Sequence, residues 1–544
     1  MNIRGDRGAK GWIRQAAAMA GLAGIGLFLV LQVSPRLNQV TYDESNIVYD
    51  ASRLHQGQVP YRDFFNFVPP NVFYTLYVAQ RLLPGKPETA SRYAVAAFMM
   101  AFTVLLYGGL RRARWTRAES LALAAVTPVC LYPFSAFALH YWLATALLMG
   151  VIVIAPSLCE GRRTASWVAM GALAGLCAGF LQTEGAYAAL VAAILVASAP
   201  GSAIERLRRG VLSACGAGLG LLAGVGPLAL LGAGPRLVRD VVFWPLVNYR
   251  KGGNPNDVGL LADLPDRLAS LLSGWGQAAG DKVLAVVGMG LYGAVLALTA
   301  GLLVLAGLAA VRSVRPGRRA PLPLAASALT LASMAAFWCT NPTFVHLIYA
   351  LAPLTGIWAF ALSGERPQVR RLAVVTAAAM VMIGVGFQAV RVTRLLPAPL
   401  GLTDVDKPDR DVPFNRFLRA WDYLRPGERI AVMPTGGNIY LFSYPAAIGY
   451  TYFFPLADRY NDMEDHEVVA SQIARGHPAL VAVHAVSWLA FQAPEDPVGR
   501  VLRNDYRPIG ETSVLVLLVP KDRWPQAVAS NLQSALGLLV TAPR

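Results

Sequence analysis

The sequence predicts an α-helical polytopic membrane protein of about eleven transmembrane helices, with a small α/β domain at its C-terminal end. Three observations predict it. First, 55% of the 544 residues are hydrophobic and only 15% are charged, against about 25% charged in an average soluble protein. A soluble chain of this length needs far more polar surface. A disordered chain, a collagen and almost any cytosolic enzyme are therefore excluded. Second, apolar runs recur through residues 1–390, and about 17–25 such residues cross a bilayer as helix. Third, the net charge of +16, from 48 Lys+Arg against 32 Asp+Glu, is unevenly placed.

The apolar runs lie at 14–33, 92–110, 118–138, 141–158, 165–181, 185–200, 211–233, 283–311, 321–339, 344–362 and 371–390. The first has a basic start in Arg4, Arg7, Lys10 and Arg14. Ser34-Pro35-Arg36 offers no small-x-small cleavage site, so the run reads as an uncleaved span. The fifth and sixth are parted only by Gln182-Thr183-Glu184. With the N-terminus inside, the inner segments are the N-terminal tail, 111–119, 160–163, 205–209, 312–319 and 365–371. These hold 20 Lys+Arg and five acids, whereas 391–544 holds 16 of each sign. Basic residues gathered in short loops on one face mark the cytoplasmic side. This explains the basic excess without nucleic acid, which is not expected as a partner.

The orientation places three segments on the outer face: a first loop (34–91), a middle loop (234–282) and the region 391–544. The chain thus divides into a membrane domain, 1–390, and a soluble domain, 391–544, long enough for one small unit. In the latter, 429–433, 479–483 and 512–519 read as strands, and 414–423 and 467–473 as helices, an α/β alternation. In the first loop, 45–55 reads as an amphipathic helix with Ile47, Val48, Ala51 and Leu54 on one side, ended by Gly57. A second follows Pro69-Pro70 at 71–83. Both are expected to lie on the membrane surface. Asp43-Glu44 comes just before them. A carboxylate at that level can take a proton from an attacking hydroxyl, and an adjacent pair can hold an acceptor or a divalent cation.

Tyr42-Asp43-Glu44, Tyr49-x-Ala51, Leu54-x-x-Gly57-x-x-Pro60-Tyr61-x-Asp63 and Pro69-Pro70-x-x-x-Tyr74 follow one another in this loop. Together they resemble the first periplasmic loop of glycosyltransferase family 39 and its relatives, which include protein mannosyltransferases and aminoarabinose transferases. These are polytopic GT-C enzymes that use polyprenyl-phosphate sugars. The resemblance implies a GT-C-like fold in the bacterial inner membrane, with the outer segments periplasmic. It implies Asp43 as catalytic base and Glu44 as a holder of acceptor or metal. Tyr61 and Asp63 join the site through the same motif. Some members carry a lysine before Pro-Pro that contacts the carrier phosphate, whereas this chain has Val68. Arg53, Arg62, Arg250 and Lys251 are outer-face substitutes, Arg62 and Arg250 first, because a planar guanidinium suits a phosphate.

Glu184 sits between apolar runs, where a carboxylate is expensive unless paired or wet. Thr183-Glu184-Gly185 resembles a polar stretch of bacterial members, and site lining and plain loop both stay open. His140 and His346 lie at outer helix ends beside aromatics. They read as interfacial anchors or as contacts to sugar or phosphate. Other motifs carry less. Gly288-Met-Gly290-Leu-Tyr-Gly293 matches a dinucleotide fingerprint, but it sits in an apolar run and reads as close helix packing. Asp404-Val-Asp406 reads as linker, and Asp462 to Glu467 as a solvated helix start. Gly216 to Gly226 suits close helix contacts. The five cysteines read as apolar packing.

The expected reaction moves a sugar from a polyprenyl-phosphate donor to a hydroxyl of a glycan, lipid or protein. Inversion is expected, since a single displacement needs one base and a stabilised leaving group. Two other classes compete. A transporter or flippase of lipid-linked sugars places paired charges near mid-membrane, and no such pair is read in these spans. A lipid-linked glycan ligase relies on arginines and a histidine in a large outer loop, which Arg250-Lys251 keep open.

Overall fold

Each apolar run of the first 390 residues folds as helix, because backbone in hydrocarbon must satisfy its hydrogen bonds within its own segment. The computed structural model describes residues 3–34, 41–83, 85–159, 164–248, 279–313, 321–340, 344–395, 413–433, 440, 444–451, 463–511 and 515–540. The helices are α1 (Ile3–Gln32), α2 (Tyr42–Arg53), α3 (Asn71–Leu82), α4 (Pro87–Arg112), α5 (Arg117–Val126), α6 (His140–Cys159), α7 (Thr164–Ala178), α8 (Gln182–Ser198) and α9 (Ala203–Leu230). They continue with α10 (Gly234–Val238), α11 (Trp244–Asn248), α12 (Ala279–Ser313), α13 (Pro321–Thr340), α14 (Phe344–Ala361) and α15 (Pro367–Leu395).

Among the described residues, seven helices are long and apolar enough to cross a membrane, and α6, α7 and α8 are shorter apolar helices. The run after Arg117 is not one straight helix. Past α5 it becomes a π-helical turn, Thr127–Leu131, and a 3-10 turn, Tyr132–Phe134. Pro128 and Pro133, each lacking an N–H, explain the break.

Small residues decide the closest helix contact. A side chain at Gly171 or Gly175 of α7 would strike the backbone of Ser213 or Ala217 on α9, and one at Gly216 or Gly220 would strike Val168 or Ala172. The predicted close packing thus falls on α9. Gly290 and Gly293, read above as packing glycines, have open space where a Cβ would stand. Among the described residues these two face no neighbouring helix, so that reading is corrected for them.

The C-terminal region is built, among the described residues, on a four-stranded sheet of β1 (Ile430–Met433), β2 (Leu480–His484), β3 (Tyr506–Glu511) and β4 (Leu515–Pro520), in the order β1-β2-β4-β3. β1 and β2 are parallel; β4 runs antiparallel to β2 and β3. Both faces are apolar and covered. Ile430, Val432, Leu517 and Val519 point to one core, and Ala431, Met433, Val481 and Leu518 to the other. Helices α16 (Pro413–Ala420) and α17 (Met463–Gly476) flank the sheet.

The first loop differs from its expected surface role. α2 is buried nearly all round: Ile47, Val48 and Ala51, but also Glu44, Ser45, Asn46 and Asp50, have no exposure. Its polar face is sealed by other protein rather than by headgroups. α3 does keep an exposed apolar edge at Val78 and Leu82.

Candidate functional site

Thr41 caps α2, its hydroxyl accepting the Glu44 N–H at 3.3 Å. The two acids follow in the first turn, where the helix dipole favours negative charge. Adjacent helical residues point about 100° apart, and the pair separates accordingly.

Glu44 turns inward. Arg92 of α4 donates Nε to Glu44 Oε1 at 2.7 Å and Nη2 to Oε2 at 2.6 Å. The Ala138 N–H donates to Oε1 at 2.8 Å, and Arg92 Nη1 reaches the Val33 carbonyl at 3.3 Å. Glu44 and Arg92 have no exposure. Three donors on two oxygens fix this end of α2 to α4 and the turn before α6, and Arg92 carries the link on to the end of α1.

Asp43 turns the other way and is exposed. Among the described residues no hydrogen bond or ion pair holds its carboxylate. The surrounding protein raises its pKa above the ordinary aspartate value by desolvation. Tyr349 of α14 lies within electrostatic reach of both acids. Tyr349 bonds Ser135 and stacks on Tyr141 with ring centres 4.2 Å apart. Tyr141 in turn pairs with His346 Nε2 at 3.2 Å, and His140 lies with its ring 4.3 Å from Tyr141. His140 is buried, and its Nδ1 has no hydrogen-bond partner among the described residues. Asp43, His140 and His346 therefore belong to one neighbourhood, bridged by tyrosines.

The other motif residues gather at the far end of α2. Arg53 is ten residues after Asp43, or about 15 Å along a helix. It is buried, donates Nε to Gln58 at 2.5 Å and lies over the Phe64 ring at 4.5 Å. Tyr61 has φ of 65° and is buried. That left-handed backbone is costly for an aromatic residue. It is held by the Tyr61 hydroxyl donating to the Val68 carbonyl and by the Tyr61 N–H donating to Phe64 at 2.9 Å. Arg62 bonds Asp63 through Nε at 3.0 Å and Nη2 at 2.8 Å. Burial acts to raise Asp63, but the bonds from Arg62 and the Val59 N–H, with the charges of Arg62 and Arg53, hold its pKa below the usual range. Arg62 is thus spent on its neighbour and does not stand beside Asp43. Arg250 and Lys251 lie outside the described residues.

Glu184 is buried at the start of α8, and its Oε2 has no hydrogen-bond partner among the described residues. Two residues before it, Gln182 donates to the Val241 carbonyl at 2.9 Å and the Phe67 carbonyl at 3.4 Å. Gln182 ties the first loop to the start of the middle loop, a role its sequence position does not announce.

The soluble domain grips the middle of α2. Thr451 donates to both oxygens of Asp50 at 2.8 Å, and Asn66 Nδ2 donates to Asp50 Oδ2 at 2.8 Å. The Ala446 N–H donates to the Tyr49 hydroxyl at 2.8 Å, and the Phe65 N–H to the Gly449 carbonyl at 2.9 Å. Tyr49 enters one core of the soluble domain, and Phe65 and Trp244 the other. Burial pushes Asp50 up to about 6, against the pull of Arg53 and the bonds from Thr451 and Asn66. A second clasp joins Arg239 to Asp465 at 3.1 Å and Asp240 at 3.2 Å. The acidic run expected to be a solvated helix start does open α17 with Glu464 and Glu467 exposed, but Asp465 and His466 are buried. Asp465 faces Arg239 and Tyr450, while His466 is buried against Asp496 at 2.7 Å. Asp462 and the Asp404-Asp406 pair lie outside the described residues. Among the described residues no three His, Cys, Asp or Glu side chains are grouped as a metal site requires.

Arg92, Tyr349, Gln182 and Asp50 are the site residues that sequence reading missed. Arg92 stands in the sequence only as the first residue of an apolar run; its burial against Glu44 reveals the partner.

No protein-family model matches the chain, and no curated protein sequence does. Solved structures do. ArnT from Cupriavidus metallidurans in the apo state is similar with a TM-score of 0.54 at 15% identity, covering 99% of this chain and 100% of that one. The same protein bound to undecaprenyl phosphate gives 0.52 at 15% identity, covering 94% and 98%. An oligosaccharyltransferase of Archaeoglobus fulgidus, tethered with an acceptor peptide, matches more distantly, with a TM-score of 0.48 at 12% identity over 96% of this chain and 76% of that one. The helices, the first loop and the C-terminal sheet region together thus have a fold similar to that of ArnT.

Proposed function

We propose that this chain is a membrane glycosyltransferase that moves a sugar from a polyprenyl-phosphate donor to an acceptor hydroxyl at the periplasmic face of a bacterial inner membrane. The observation that carries the reading is the split of the acid pair. Glu44 is locked to Arg92, and Asp43 is left accessible and unpaired among the described residues. The fold is that of ArnT, one of whose structures is bound to undecaprenyl phosphate, and this supports a lipid-phosphate donor here.

In the proposed reaction Asp43 takes the proton of the acceptor hydroxyl. Its oxygen attacks the anomeric carbon, the carbon–phosphate-oxygen bond breaks, and the polyprenyl phosphate leaves with both electrons. A single in-line displacement inverts the anomeric centre. The raised pKa of Asp43 makes it a stronger base than an ordinary aspartate. Glu44 is a positioning residue. The exposed apolar edge of α3 suits the lipid chain. Because Arg62 is paired to Asp63, the carrier phosphate falls to Arg250 with Lys251, and His140, His346 and Glu184 line the sugar side. The acceptor is a glycan, lipid or protein, and the soluble domain, periplasmic in this orientation, bears on it.

The test offers the purified chain in proteoliposomes a panel of radiolabelled polyprenyl-phosphate sugars with an envelope extract as acceptor. Consumption of one donor with loss of label from the lipid is expected. Binding of a lipid-linked sugar without consumption of any donor would contradict a transferase and point to a transporter or a diphosphate-dependent ligase.

A further inference from the structure

The turn at the far end of α2 and the soluble domain enclose an open groove of about 280 Å³, at the small end of ligand sites. Arg53, Gln58 and Asp63 line it from the first loop, and Arg429, Gln472 and Arg475 from the soluble domain. Its acceptor atoms are already used. Gln58 Oε1 takes Arg53 Nε at 2.5 Å, and Gln472 Oε1 takes the Gly449 N–H at 2.7 Å. Asp63 takes Arg62 from outside at 2.8 Å and the Val59 N–H at 2.7 Å.

Its donors are only partly used. Arg53 is 4% exposed, and its Nη1 makes no hydrogen bond among the described residues, with Asp50 3.7 Å away. Arg475 donates Nε only to the Ser471 carbonyl of its own helix, at 3.2 Å. Among the described residues Arg429 has no ion pair. The guanidiniums of Arg429 and Arg475 and the Gln472 amide N–H groups therefore face a space, backed by the buried Arg53, whose only carboxylate among the described lining residues, Asp63, is neutralised. Guanidinium has donors and no acceptor, so this lining suits an oxyanion and rejects a cation.

We infer that this groove is a subsite for an oxyanion, a phosphoryl or carboxylate group, on an extended acceptor. Identifying the ligand as the acceptor rests on the transferase reading; the polarity of the groove does not. The groove lies about 15 Å from Asp43 along α2. An acceptor filling both sites must carry its charge well away from its reacting hydroxyl, which excludes a free monosaccharide.

The test is calorimetric titration of the full chain in nanodiscs with glucose 6-phosphate, and separately in nanodiscs containing phosphatidic acid. Arg429→Gln and Arg475→Gln are exposed substitutions that spare the fold. The double variant is expected to bind about tenfold more weakly, since charge-assisted hydrogen bonds are lost. Asp43→Asn is expected to bind like wild type. Binding of the soluble phosphate assigns a glycan-borne group; competition only from phosphatidic acid assigns a lipid headgroup. No saturable binding of either probe, or binding that the double variant leaves unchanged, overturns the subsite. Failure of the transferase reading is seen separately, as binding without donor consumption.

Discussion

At the scale of single residues, the site depends on two neighbours with opposite duties. Asp43, the base proposed above, was singled out by its place after the first span and by the surrounding motif. The duty of Glu44 was not, because its partner Arg92 is 48 residues away and no local pattern links them. A buried ion pair adds little net stability, yet breaking one side leaves an uncompensated charge. Glu44→Gln keeps the shape but strands Arg92. It is expected to cost about 3–5 kcal/mol, read as a lower unfolding temperature in detergent. Arg92→Met made together with Glu44→Leu is expected to recover much of that loss.

At the scale of elements, α2 is a strut between the membrane helices at its first turn and the soluble domain at its middle. Apolar spacing identified it as a helix but misplaced it on the membrane surface. Hydropathy cannot show that Ser45, Asn46 and Asp50 are covered, because burial of polar residues follows from partners elsewhere in the chain. β3 was missed for a related reason. Pro508 and Gly510 weaken its pattern, although an edge strand tolerates both. The strut has a pH signature. Asp50 titrates near 6 when folded, against 3.8 ordinarily. Below 3.8 both states are protonated; between 3.8 and 6 the folded state alone holds the proton. Stability therefore falls as pH rises through that window, and above about 6 the loss is complete, on the order of 3 kcal/mol. Asp50→Asn is expected to remove this fall, so the difference in unfolding temperature between wild type and variant should widen from pH 4 to 6.5. A constant difference across that range would show that Asp50 does not titrate there.

At the scale of the whole molecule, composition and the recurring apolar runs announced a polytopic helical chain with a small α/β region at its C-terminal end. They did not announce how those parts meet. The grip of Thr451 on Asp50 and of Asp465 on Arg239 joins residues hundreds of positions apart. The central claim concerns Asp43, so the most direct measurement compares wild type with Asp43→Asn in proteoliposomes. The readout is the rate of consumption of the radiolabelled polyprenyl-phosphate sugar that wild type uses, with unfolding temperature recorded for both. The expected result is a loss of about 10²–10⁴-fold in rate with the unfolding temperature unchanged. A folded Asp43→Asn protein that consumes donor at the wild-type rate would contradict the assignment.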